Sequence, residues 1–194
     1  DLLDPDALLH VAFEISRNPD VKILYTDEDV IAVDGKRYGP HFKPAWNREL
    51  LYGMNYACHF LVCEMDLVSS VGGLRAGFEG AQDHDLLLRC VAQVADDQIC
   101  HIAKVLYHWR ASPGSVAESG ANKPYATDAG LRAMAEHLRM TTGDDIAVVQ
   151  GKVPFTYVPR WPLKHAPKVS IIIPTRDRLE LLRVAIESIL TKTS

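Results

Sequence analysis

The spacing of apolar positions changes along the chain, and those changes outline its elements. Ala7, Leu8, Val11, Ala12 and Ile15 recur at helical spacing behind Asp4-Pro5, an N-cap and first-turn pair, and Asn18-Pro19-Asp20 ends the stripe near Arg17. A strand is expected over 21–25, and the runs 30–33 and 36–38 flank Asp34-Gly35 as a hairpin. Residues 50–65 mix a short helix with a strand over 58–63, and a short helix over 65–70 is closed by Gly72-Gly73. Leu86, Leu87, Leu88, Cys90 and Val91 mark the buried face of a helix from about 82 to 94. Two short strands follow, over 98–102 and 105–109, then a Ser/Gly-rich mobile loop over 111–120. An amphipathic helix over 125–139 and a hairpin of 146–150 with 155–158 complete this pattern. The stretch 159–168 is a Pro-rich linker. Beyond it, Val169-Ser170-Ile171-Ile172-Ile173-Pro174-Thr175 is a continuous apolar run, as in a buried parallel strand, followed by an amphipathic helix over 178–190.

Composition narrows the class. A chain of 194 residues with 47% hydrophobic content has enough apolar material for one domain, or one domain plus a piece. The net charge of −4 comes with no basic patch for nucleic acid and no acidic block for a disordered tail. Cys58, Cys63, Cys90 and Cys100 lack C-x-x-C spacing and read as reduced core residues of a reducing compartment. No apolar run approaches the ~18 residues of a membrane span, and no signal peptide is recognisable.

The chemistry concentrates in Glu79-Gly80-Ala81-Gln82-Asp83-His84-Asp85, two carboxylates at the mouth of an apolar helix. Acidic groups are favoured there by the helix dipole and the free N–H groups, so either is explained as a cap. One of them is also placed to face a cleft as a general base. A second run, Val105-Leu106-Tyr107-His108-Trp109-Arg110, is a strand whose end carries His, Trp and Arg.

Together with Tyr25-Thr26-Asp27-Glu28-Asp29, Phe42-Lys43-Pro44-Ala45-Trp46-Asn47, Asn55-Tyr56 and Val71-Gly72-Gly73, these runs resemble the family 2 glycosyltransferases, in the family's order and spacing. The resemblance implies an α/β fold of GT-A type, with a partial mixed sheet flanked by helices. It also implies transfer of a sugar from a nucleotide-diphosphate donor to a glycan acceptor with inversion, in bacterial surface polysaccharide synthesis. On it, Asp1 resembles the last Asp of the family's acidic cluster, whose remainder would lie upstream, and residues 1–158 form the C-terminal portion of one transferase domain. Residues 169–194 then resemble the first strand–helix unit of a second, with Pro174, Thr175 and Asp177 near its nucleotide; the bland alternative is a βα unit of the first domain.

The resemblance makes Asp83 the catalytic base and Asp1 and His108 the candidates beside a divalent cation, Mg²⁺ or Mn²⁺, in the intact enzyme. His108 reads equally well as a strand-end histidine bonded to the backbone. Substrate-binding candidates are Gln82, Asp85, Arg110, Trp109, Asp27, Asp29, Trp46 and Asn55, and Lys43 and Lys123 are further cations for a phosphate or sugar. Asp85 is the better capping candidate of the acidic pair, and Trp46 and Trp109 suit core packing as well as sugar stacking. Asp83 and His108 are expected to converge on one cleft, within about 10 Å, the scale of a ligand pocket. The partners implied are the donor and the acceptor, with no nucleic acid and no membrane span; the setting is cytoplasmic, at or near the inner face of the membrane. The apolar strand over 169–173 is expected to dock on a sheet, in its own chain or by exchange with a neighbour. The rival reading is a non-catalytic piece that offers an acceptor-binding surface alone. A metal-dependent hydrolase built on Asp27 and Asp29 lacks further ligands at suitable spacing.

Overall fold

The structure, a computed structural model, describes residues 1–111, 124–163, 165 and 167–192. The chain divides into two compact units, Asp1–Trp161 and Pro162–Ser194.

The first unit is built on a mixed five-stranded sheet. Its axis is β2 (Ile23–Ile31), which runs parallel to β5 (Ile99–Arg110) along its whole length. On the other side, β2 pairs antiparallel with β3 (Arg37–His41) near its end and with β4 (Leu61–Cys63) near its start. The two-residue β1 (Leu2–Leu3) pairs antiparallel with Tyr107 and His108 at the end of β5. Helix α1 (Ala7–Arg17) lies on one face, where Ala7 and Val11 meet Leu24, Ile102 and Leu106. The opposite face receives α2 (Arg48–Gly53), α3 (Met65–Ser70), α4 (Gln82–Val91) and α5 (Pro124–Thr142). Their apolar residues join Ile23, Tyr25 and Ile99 in the larger core. A small antiparallel pair, β6 (Ala147–Gln150) with β7 (Tyr157–Arg160), sits against α5 and α2. This α/β architecture, a partial mixed sheet flanked by helices, is the expected fold class.

The sequence pattern misjudged the long strands. The expected pieces 98–102 and 105–109 are one strand, β5, and 21–25 continues through 30–31 as β2. The reason is a pair of register shifts, between Thr26 and Asp27 and between Asp27 and Glu28, where β5 carries extra residues opposite β2. A bulge breaks the alternation of side chains without ending the strand. Helices α1, α3, α4 and α5 lie where the periodicity placed them, within a few residues. The four cysteines are all free.

The second unit contains α6 (Leu179–Lys192), with Arg183 bridging Glu180 at 2.7 Å one turn away. The expected strand over 169–173 is not formed. Val169, Ile171 and Ile172 are exposed, and no ladder partner for them exists among the described residues. A strand is defined by hydrogen bonds to a neighbour, so apolar composition alone does not make one. Pro174, Thr175 and Asp177 lie in the exposed segment before α6, with Asp177 at φ 48°.

Candidate functional site

The sheet face that carries α4 also holds a cleft beside the end of β5. Strand alternation turns Tyr107 and Trp109 to this face and Leu106 and His108 to the α1 face. The entry to α4 supplies Gly80, Gln82 and Asp83, and the connection into β4 supplies Asn55, Cys58 and His59. These residues bound a cavity of about 320 Å³ with Tyr107 and Leu61. A second cavity of about 370 Å³ adjoins it, sharing Asn55, Cys58, His59, Gly80 and Asp83, and is walled by Trp109, by Val153 to Thr156 of the β6–β7 turn and by Tyr157 at the start of β7.

Asp83 stands in the first turn of α4 with an exposed side chain. Its Oδ2 accepts a hydrogen bond from Asn55 Nδ2 at 3.1 Å. The N-cap of α4 is Ala81, and no side chain caps the helix. Neither carboxylate of the pair is therefore a cap, and Asp83 is held for the cleft. Gly80 is where the chain turns into the helix, at φ 84°; a β-carbon there would lie 2.5 Å from Ala126 Cβ. Glycine thus lets α5 approach the cleft mouth closely. Gln82 lines the cavity and accepts from the Gly80 N–H at 2.6 Å.

His59 and Glu28 form the most constrained part of the cleft. Glu28 Oε2 accepts from the His59 backbone N–H at 2.6 Å, pairs with His59 Nδ1 at 2.8 Å, and lies 3.4 Å from Lys43 Nζ. The His59 ring stacks on Tyr107 at 5.5 Å and leans on Trp109 at 4.7 Å. Burial opposes ionisation of Glu28, but the hydrogen bonds of His59 and the charge of Lys43 outweigh it and hold the carboxyl down at about 2. Burial pushes the Cys58 thiol up to about 12, so this cavity residue is no thiolate nucleophile near neutrality. His84, behind Asp83, is lowered to about 4, chiefly by burial, and stays neutral.

Several expected site residues are elsewhere. His108 is buried on the α1 face, its Nδ1 2.6 Å from Asp29 Oδ1 and its Nε2 3.7 Å from Asp4 Oδ2. It therefore does not converge with Asp83, which opens on the other face. The same alternation removes Asp29, which also takes Arg37 Nε at 2.7 Å. Asp27 is buried and accepts from Lys43 N at 2.8 Å and faces His101 Nε2 at 2.7 Å, a bridge between strand and loop. Asp85 is a buried anchor: Arg75 Nη2 at 2.5 Å and Arg89 Nη2 at 2.7 Å clamp it away from the cavity. Trp46 packs edge-on against Tyr25 and donates to Asp96 Oδ1 at 2.7 Å. Lys43 is fully enclosed beside Glu28 and reaches no surface ligand. Arg110 is exposed at the end of β5, and Lys123 and the 112–120 part of the expected loop lie outside the described residues. Gln82, Asp83, Asn55 and Trp109 are the expected residues that the fold does bring together.

Asp1 lies on the cleft side of the sheet, its carboxylate accepting from Tyr107 Oη at 2.7 Å and from the Arg110 N–H at 3.0 Å. An exposed carboxylate is a suitable oxygen ligand for Mg²⁺ or Mn²⁺. His108 does not fit such a site, because it faces the opposite side and its ring already pairs with carboxylates. Among the described residues no group of three or more His, Cys, Asp or Glu side chains is placed to hold a metal ion.

His59, Cys58 and Tyr107 were not expected as site residues. Tyr107 was recoverable, since it shares strand parity with Trp109. His59 carried no signal beyond being a histidine after Asn55-Tyr56, because its partner Glu28 is far away in sequence.

Comparison with known proteins places the chain beside two much longer ones. No family model matches it. It is 59% identical over 193 residues to an uncharacterized protein, y4gI, of Sinorhizobium fredii (strain NBRC 101917 / NGR234), covering all of this chain and 21% of that protein. It is 44% identical over 193 residues to the O-antigen biosynthesis protein RfbC of Myxococcus xanthus, of which it covers 15%. The chain thus spans about a fifth or less of the curated relatives it matches, along its whole own length.

Proposed function

We propose that this chain is part of a nucleotide-sugar glycosyltransferase that acts in bacterial surface polysaccharide synthesis, with Asp83 as the base that deprotonates the acceptor hydroxyl. The observation that carries the reading is the Asp83 carboxylate, exposed at the α4 entry and held by Asn55, over cavities walled by Tyr107 and Trp109. A carboxylate so placed takes a proton from an alcohol as it attacks, and direct displacement at the donor sugar gives inversion. Asn55 fixes one oxygen of Asp83 and leaves the other for the acceptor. The indole of Trp109 offers an apolar face for a sugar ring. A divalent cation, Mg²⁺ or Mn²⁺, belongs to this reading, with Asp1 as the residue of this chain to meet it; when bound it neutralises the leaving diphosphate. The printed name of the Myxococcus xanthus relative, an O-antigen biosynthesis protein, supports the polysaccharide setting. A cytoplasmic location at the inner face of the membrane goes with a nucleotide donor. Among the described residues no helix is long and apolar enough to cross a membrane.

The test is Asp83→Asn in the intact protein, assayed by release of nucleoside diphosphate from a panel of nucleotide sugars in the presence of glycan acceptors. Loss of the general base lowers turnover by about 10²–10⁴-fold with little change in stability. Near wild-type turnover in that variant excludes Asp83 as the base.

A further inference from the structure

The Glu28–His59 pair has no role in that reaction as described, yet it is the most tightly built feature of the cleft. Glu28 reaches it through the register shift between Asp27 and Glu28, which re-aims the carboxylate towards the loop before β4. There Glu28 meets the enclosed Lys43 ammonium, which also donates to the backbone oxygens of Ala57, at 3.5 Å, and of Cys58. Burying such a pair adds little net stability, because desolvation offsets the attraction. Its visible effect is on orientation. A carboxylate only accepts, so His59 Nδ1 carries the proton shared with Glu28 Oε2, and in the neutral ring Nε2 is left as an acceptor. Tyr107 and Trp109 fix the plane of the ring. His59 borders both cavities together with Asp83 and Asn55, and its side chain is 31% exposed. Among the described residues nothing hydrogen-bonds its Nε2.

We propose that His59 is a second ligand-contacting residue of this cleft: its Nε2 accepts a hydrogen bond from a hydroxyl of the sugar bound beside Asp83, and Glu28 is the residue that positions it. This rests on the transferase reading for the identity of the ligand, but not for the orientation of the ring.

Two substitutions separate contact from scaffolding. His59→Asn keeps a donor near Glu28 and loses the atom at the Nε2 position; His59→Gln places an amide near the Nε2 position. In the transfer assay kcat/KM falls about tenfold to a hundredfold in His59→Asn, the cost of leaving a substrate hydroxyl unpaired, at unchanged thermal stability. His59→Gln recovers most of that loss. Wild-type kcat/KM in His59→Asn overturns the proposal, as does equal loss in both variants. The positioning role is read separately from the ¹⁵N shifts of the His59 ring in labelled protein. They report an Nδ1–H tautomer above neutral pH, and Glu28→Gln removes the preference. An Nε2–H tautomer in the wild type overturns the proposal even where no transfer is detected. Absence of transfer in the wild type with every donor, alongside the Nδ1–H tautomer, counts against the transferase reading and leaves the orientation of His59 supported.

Discussion

Replacing Asp85 with Asn should unfold this protein more readily while leaving its chemistry alone, although Asp85 stands only two positions from Asp83. The Asp85 side chain is 2% exposed and takes contacts from both Arg75 and Arg89. Arg89, 12% exposed, spends its remaining N–H groups on the carbonyls of Val71 and Gly73, at 2.6 and 2.7 Å, tying α4 to the turn after α3. Asn keeps one acceptor oxygen and removes the charge, which strands the Arg89 cation in a mostly buried site. Breaking a buried pair in this way costs about 3–5 kcal/mol. Arg75 is 38% exposed and retains Glu136 at 2.7 Å, so its part of the loss is about 1 kcal/mol or less, on the scale of surface pairs. The total is then about 3–6 kcal/mol, set mainly by Arg89. For a domain of this size that corresponds to a fall in Tm of roughly 6–24 °C. Urea and thermal unfolding followed by circular dichroism measure it, with Asp83→Asn as the companion that should remain within about 0.5 kcal/mol of wild type, as a surface change does. A loss under about 1 kcal/mol in Asp85→Asn would refute the reasoning from burial. So would full stability combined with lost transfer, which would return Asp85 to the site.

Acid should weaken the fold in two stages. Burial lowers His84 and His137 to about 4, below their ordinary value, so the unfolded chain binds protons that the folded chain refuses as pH falls from about 6.5 to 4. Stability is therefore complete above about 6.5 and declines through that window, by on the order of 3 kcal/mol for His84. A urea midpoint that stays flat between pH 7.5 and 4.5 would contradict this. The contribution of Glu28, held at about 2, is present above its ordinary value of 4.5 and is lost only as pH falls on towards 2, so it forms the second, lower stage. Gly130→Ala, in the middle of α5, would normally stabilise a helix. Here a β-carbon would sit 1.8 Å from Tyr157 Oη, and the expected outcome is a loss of about 1–3 kcal/mol; a gain would show that Tyr157 moves freely.

What the sequence by itself determined is local. Apolar residues at helical spacing placed α1, α4, α5 and α6, and Asp34-Gly35 placed the β2–β3 turn, because these signals act over a few residues. A pair of carboxylates at a helix entry after glycine was legible for the same reason, and the family resemblance, not the local pattern, singled out Asp83. Alternation along Tyr107-His108-Trp109 even contained the warning that His108 and Trp109 cannot share a face. Tertiary structure decided the rest. Whether Asp85 or Asp83 faces a cavity depended on Arg75 and Arg89 arriving from other turns of the chain. Which way Asp27, Glu28 and Asp29 point depended on a register shift against β5, and a single slip of register reverses every side chain beyond it. Val169 to Ile173 has the composition of a buried strand and is not one, since a strand exists only where another backbone supplies its hydrogen bonds. Glu28 and His59 meet because β2 and the loop before β4 are folded together, a long-range contact that no local pattern of apolar and polar residues encodes.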